Sequence, residues 1–120
     1  MLIGDALHTA HFSIGSGTRL AMEDAIALVR ALEEAEWNIP RALPAFQAAR
    51  EPILAKLQGA ARASAAWYEG FGARMGLDAW RFALSYILRA GRLDGEKLAA
   101  LAPRFAAGLA ERGIALTAPA

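Results

Sequence analysis

Alanine fills 30 of the 120 positions and valine only one. Alanine and leucine lose little on entering a helix, whereas pleated sheets favour the β-branched residues this chain lacks. The isolated chain is therefore expected to be mainly α. Its length suits one domain with a modest core. A hydrophobic fraction of 56% with a formal charge of +1 excludes a disordered chain. The same balance leaves no basic footprint, so no nucleic-acid partner is expected. With no cysteine there is neither a disulfide framework nor a thiolate metal site. The strongest apolar run, Phe82 to Leu88, is closed by Arg81 and Arg89. It falls far short of the ~20 residues of a spanning helix, so no membrane partner is expected. Met1-Leu2-Ile3-Gly4-Asp5 has no basic stretch leading into a long apolar one, and a cytoplasmic location is expected.

Along the chain, Leu2-Ile3 followed by Gly4-Asp5 reads as a strand remnant ending in a turn. A Gly-rich loop follows over 6–17, and then four to five helices. The first spans about Thr18 to Glu36, with Leu20, Ala21, Ala25, Leu28, Val29 and Leu32 near helical spacing and Ser16 or Thr18 as its cap. Asn38-Ile39-Pro40 ends it. The second runs from about Pro40 to Glu69, with Pro44 in its first turn. Pro52 is expected to kink or interrupt it, and to push Glu51 toward extended geometry. Leu54, Leu57, Ala61 and Ala65 form its stripe. Gly70, Gly72 and Gly76 mark a connector. A third helix runs from about Asp78 to Ala90, a fourth starts near Asp94 as its cap, and Pro103 begins a further one to about Arg112. Beyond Gly113 the tail is expected to fray.

The informative stretch runs from Gly4 to Ala25: acidic turn, Gly-rich loop, helix start. A helix N-terminus preceded by glycines offers free N–H groups and the positive end of a dipole to an anion or an electron-rich carbonyl. Small residues let a flat ligand approach the backbone, and the Asp carboxylate accepts hydrogen bonds from a polyol. Together they suit a planar ring carrying a sugar-like chain.

On Gly4-Asp5-Ala6, His8, Gly15-x-Gly17 and Asp24-Ala25, the stretch resembles the second FAD-binding motif of the flavoprotein aromatic hydroxylases, the NAD(P)H-dependent FAD monooxygenases. Phe12 stands where that family usually has Pro, and Leu7 where it has a second Ala. The wording from His11 to Thr18 is most similar to the branch acting on aromatic acyl-CoA thioesters, the salicylyl-CoA and anthraniloyl-CoA hydroxylases. The hydroxylases of tryptophan derivatives in violacein synthesis are similar too. Leu43 to Phe46, Arg50 to Pro52 and Ala63 to Trp67 also resemble that branch.

The resemblance implies that Asp5 bonds the ribityl hydroxyls of FAD, with Gly4 counted beside it among the cofactor-binding residues. It also implies that Gly15, Ser16, Gly17 and Thr18 aim the helix N-terminus at the flavin pyrimidine edge. His11 and Phe12 fall where the loop would meet the substrate. No catalytic side chain is implied, because the cofactor carries the chemistry. NAD(P)H would supply hydride, and O₂ would react to a flavin hydroperoxide that hydroxylates a small aromatic substrate, free or CoA-linked. The parent enzyme would be α+β with a Rossmann-like FAD-binding domain. That family's opening Gly-x-Gly-x-x-Gly and its Asp-Gly motif do not precede Gly4. Leu20 stands where a third glycine would follow Gly15-x-Gly17. The chain is therefore expected to be a C-terminal fragment. Residues 1–36 would close the FAD-binding region, 37–120 would be a C-terminal helical region, and the fragment alone would be inactive.

Plainer readings stand beside these. His8 suits a packed or hydrogen-bonded residue, and Asp24 a tie between helix and loop. Arg50 and Pro52 suit an architectural kink. Trp67, Tyr68, Phe71 and Trp80 suit core or subunit contacts. His8 and His11 lack a partner at zinc spacing, so no metal is expected. Ser13 and Ser16 lack a base and an orienting acid, so no hydrolase triad is supported. The alternative function is a non-catalytic helical interaction or dimerisation module, a homodimer included, that has lost its cofactor domain. An anion-binding helix bundle is a third reading.

Overall fold

The computed structural model describes residues 1–117. Six α-helices follow two short 3₁₀ turns, and among the described residues there is no strand. The mainly α expectation holds, but the strand remnant is replaced. Ile3 is extended (φ −140°, ψ 164°), then the chain turns at once into the 3₁₀ turn Gly4–Ala6. An extended segment becomes a strand only when a neighbour takes its N–H and C=O groups. Here Ile3 instead packs on a helical core. Two compact units are present, Met1–Ala61 and a second from Arg62 onward.

The first unit is a helical hairpin with the N-terminal segment along it. Helix α1 is Gly17–Glu34 and α2 is Ile39–Glu69. Leu20 clusters with Leu54 and Leu57, while Ala31 and Ala35 cluster with Ala42 and Phe46. Early α1 residues thus meet later α2 residues, so the two run antiparallel. Three features differ from the sequence reading. Asn38 caps α2 by accepting from Arg41 N–H at 3.2 Å, so the residue read as ending one helix also starts the next. With α2 beginning at Ile39, Pro44 lies in its second turn. Pro52 does not interrupt α2, and Glu51 stays helical. Proline forfeits one N–H bond within a helix, and the packing of Leu54 and Leu57 beyond it compensates for that loss.

The second unit holds the end of α2 with α3 (Phe71–Arg74), α4 (Ala79–Leu88), α5 (Gly95–Leu101) and α6 (Pro103–Ala110). The Gly70 to Gly76 connector therefore contains a short helix. Asp78 caps α4 and Asp94 caps α5, each accepting backbone N–H groups at 2.8–3.1 Å. Leu84, Leu88, Leu98 and Leu109 form the core, with Trp80 stacked on Phe105 beside it. Trp67 centres a separate aromatic group with Tyr68, Phe71, Phe82 and Tyr86, all edge-on. Trp67 Nε1 donates to Ser85 Oγ. Of the aromatic residues read as core or subunit contacts, Trp67 is buried, Tyr68 and Trp80 are half-buried, and Phe71 is 38% exposed.

Candidate functional site

The Gly4–Ala6 turn lies along one face of α1. Gly17, Ala21 and Asp24 occupy that face at i, i+4 and i+7, so they stack in line. Each level meets a different part of the turn. A Cβ on Gly17 would come 3.7 Å from Asp5 Oδ1, and one on Gly4 would come 3.2 Å from Ala21 Cβ. At the third level Gly4 N–H donates to Asp24 Oδ2 at 2.9 Å. Gly4 adopts φ +59°, a conformation that L side chains rarely take, so backbone strain and close packing both require glycine there.

The expected cofactor residues fall into two groups. Asp5 is exposed, its carboxylate beside the start of α1, and its own carbonyl accepts from Thr9 Oγ1. Gly15 closes the second 3₁₀ turn, Phe12–Ile14, at φ +60° with open space where a side chain would be. Ser16 occupies the N-cap position of α1 but makes no cap; its hydroxyl donates back to Ile14 O at 3.1 Å. Gly17 and the exposed Thr18 open the helix. This 18-residue helix thus presents its first turn beside a carboxylate with no Ser16 cap over it.

His11 and Phe12 lie on the loop between these groups. His11 Nδ1 is 2.7 Å from Ser13 Oγ, and the His11 ring lies 4.5 Å from that of Phe12. Phe12 is 82% exposed, an unusual state for a phenylalanine on a short, tightly turned loop.

Beneath the turn is a buried ionic cluster. Asp24, fully buried, accepts from Gly4 N–H, from His8 Nε2 at 2.6 Å and from Arg50 Nε at 2.8 Å. Arg50 also reaches Glu23 Oε2 with both terminal nitrogens at 3.3 Å. Burial pushes the Asp24 carboxyl upward, but the His8, Gly4 and Arg50 hydrogen bonds outweigh it and hold the group below the usual carboxylate range. The ionised carboxylate only accepts, so His8 donates from Nε2. Sequence reasoning found the tie between helix and loop at Asp24 and the hydrogen-bonded His8. It missed Arg50, which was read with Pro52 as part of a kink. The available signal was a carboxylate on the α1 stripe that buries Leu20 and Ala31, because such a group needs a cationic partner.

The chain that carries this turn-loop-helix arrangement is similar to parts of three proteins named as hydroxylases or monooxygenases. Salicyloyl-CoA 5-hydroxylase of Streptomyces sp is 51% identical over 72 residues, 60% of this chain and 14% of that protein. A 3-hydroxy-4-methyl-anthranilyl-[aryl-carrier protein] 5-monooxygenase of Streptosporangium sibiricum is 53% identical over 68 residues, 57% of this chain and 19% of that protein. Protodeoxyviolaceinate monooxygenase of Chromobacterium violaceum is 39% identical over 89 residues, 74% of this chain and 24% of that protein. The chain thus matches between a seventh and a quarter of the length of these curated relatives. No family model matches it, and no solved structure does.

Proposed function

We propose that this chain forms one side of the cofactor site of an FAD-dependent, NAD(P)H-using monooxygenase that hydroxylates a small aromatic substrate, free or carried as a CoA thioester. The observation that carries the reading is the exposed Asp5 carboxylate beside Gly17 at the uncapped start of α1. An acceptor-only carboxylate suits the hydroxyls of a ribityl chain, and free helix N–H groups suit the carbonyl edge of a flavin. Gly15, at φ +60°, has open space in its Cβ direction, so the loop before the helix carries no side chain there. The residues present therefore fit the cofactor. The remaining contacts would come from a dinucleotide-binding part outside these 120 residues.

When bound, FAD would supply the redox chemistry, taking hydride from NAD(P)H and activating O₂ for transfer to the ring. The share of this chain is positional. Asp5 would hold the polyol, the Gly17 and Thr18 N–H groups would bind the ring's carbonyl edge, and the positive end of α1 would favour negative charge there. His11 and the projecting Phe12 border the substrate side. The names of the relatives favour an aromatic substrate attached to a carrier thiol. The test is to express the protein at its full encoded length and follow NAD(P)H oxidation with benzoyl-type acids and their CoA thioesters. Hydroxylated product supports the reading; a protein that neither retains flavin nor consumes NAD(P)H contradicts it.

One observation also fits a second reading, the non-catalytic interaction module. Met22, Ile26 and Val29 form an exposed apolar stripe on α1, at i, i+4 and i+7. A sheet of the same enzyme would cover such a stripe, and so would another protein. Flavin retention separates the two readings.

A further inference from the structure

Asp24 sits two turns into α1, fully buried, too deep to touch a ligand at the helix start. A carboxylate is a costly choice for a position between Leu20 and Ala31, where an aliphatic side chain would pack without needing partners. Its three partners come from three segments: the 3₁₀ turn, the loop after it, and α2. Two of the three, Gly4 N–H and His8, flank Asp5 in the chain. The third, Arg50, also holds Glu23, the residue before Asp24. An aliphatic residue would pair the helices equally well but could not hold the Gly4 amide.

We propose that Asp24 is a positioning residue for the cofactor site: anchored by Arg50, it grips Gly4 N–H and His8 and so sets Asp5 over Gly17 at the start of α1. The inference rests on the FAD reading given above. The mechanical path is short. Gly4 N–H is fixed on Asp24, Ala21 leaves little room for a side chain at Gly4, and Asp5 is the next residue. His8 closes the same turn from its far side, its own N–H bonded to Gly4 O at 3.0 Å. Releasing Asp24 frees the turn at both ends, while Asp5 itself is untouched.

The test uses the protein at its full encoded length, with FAD as the probe. Asp24→Asn keeps the size but removes the charge and turns an amide NH₂ toward either Gly4 N–H or Arg50 Nε, both of which only donate. Losing a bond to a charged group at the anchor is expected to weaken FAD binding by about tenfold or more. The visible circular dichroism of bound flavin should change, and Gly4 N–H should exchange faster with solvent. His8→Ala should give a smaller loss of the same kind. His8→Gln, which carries an N–H to a similar reach, should restore most of it. A merely structural role would not produce that ordering or alter the flavin signal. If Asp24→Asn binds FAD with unchanged affinity and an unchanged flavin spectrum, the positioning role is wrong and the cofactor reading survives. If Asp24→Asn fails to fold, the His8 pair decides: equal FAD affinity in His8→Ala and the parent overturns the inference. If the parent protein takes up no FAD, the cofactor reading fails and the inference fails with it.

Discussion

Arg50 Nε lies 2.8 Å from Asp24 Oδ1, and both side chains are withdrawn from water. Asp24 is also held by His8 and Gly4 N–H, and Arg50 also reaches Glu23, but of the two Arg50 ion pairs this is the one in which both charges are buried. The pair also joins the two antiparallel helices of the first unit at mid-length, between the Leu20 cluster and the Phe46 cluster. Replacing Arg50 alone leaves the buried Asp24 carboxylate without its guanidinium. Arg50→Met is expected to cost about 3–5 kcal/mol, the usual penalty for a stranded buried charge. Arg50→Lys should cost less, because one charged donor remains. Urea unfolding of the three proteins checks this; a loss below about 1 kcal/mol for Arg50→Met would contradict it.

Acid should destabilise the protein through the same group. The folded-state pKa of Asp24 lies below its ordinary value of 3.8. Asp78 and Asp94 are lowered as well, Asp78 by the Arg81 guanidinium and N–H and Asp94 by the Lys97 N–H and ammonium. A carboxylate with a depressed folded pKa binds protons more readily when unfolded. Its stabilisation is therefore complete above about pH 4–5 and is lost as pH falls through the folded pKa. The melting temperature should be flat from neutral pH to about pH 5 and fall steeply below about pH 4. Asp24→Asn should melt lower at neutral pH and show a shallower acid limb. An equally steep limb in that variant would assign the acid sensitivity elsewhere.

Two glycines in helices should respond with opposite signs. A Cβ on Gly108 would lie 2.5 Å from the Trp80 ring, in the stack that also carries Phe105 and the Arg112 guanidinium. Gly108→Ala should cost about 1–3 kcal/mol through overpacking. Gly59, inside α2, has nothing within 4 Å of its Cβ direction. Gly59→Ala should gain about 0.5–1 kcal/mol from helix propensity and a less free unfolded chain. Thermal unfolding of the two variants against the parent reads both signs.

The helices were legible because alanine and leucine periodicity is a local signal, and Asp78 and Asp94 were legible as caps because capping is local too. What the sequence did not reveal depends on partners far along the chain. Leu2-Ile3 has strand composition, yet a strand exists only when paired, and Ile3 packs on helices instead. Pro52 breaks a local rule, and tertiary packing of Leu54 and Leu57 overrides it. At the site, Gly4, Asp5 and the Gly15–Thr18 segment stood out by type and spacing. The bond from Arg50 to Asp24 joins residues 26 positions apart, and neither neighbourhood alone announces it.

The central claim is that Asp5, at the start of α1, holds a flavin cofactor. The most direct measurement is an equilibrium FAD titration of the protein at its full encoded length, beside Asp5→Ala. Asp5 is exposed, so the substitution should leave the fold within about 0.5 kcal/mol of the parent. The account predicts saturable, flavin-quenching binding by the parent and a loss of about tenfold or more in the variant. No saturable binding by the parent, or equal affinity in the two proteins, would contradict it.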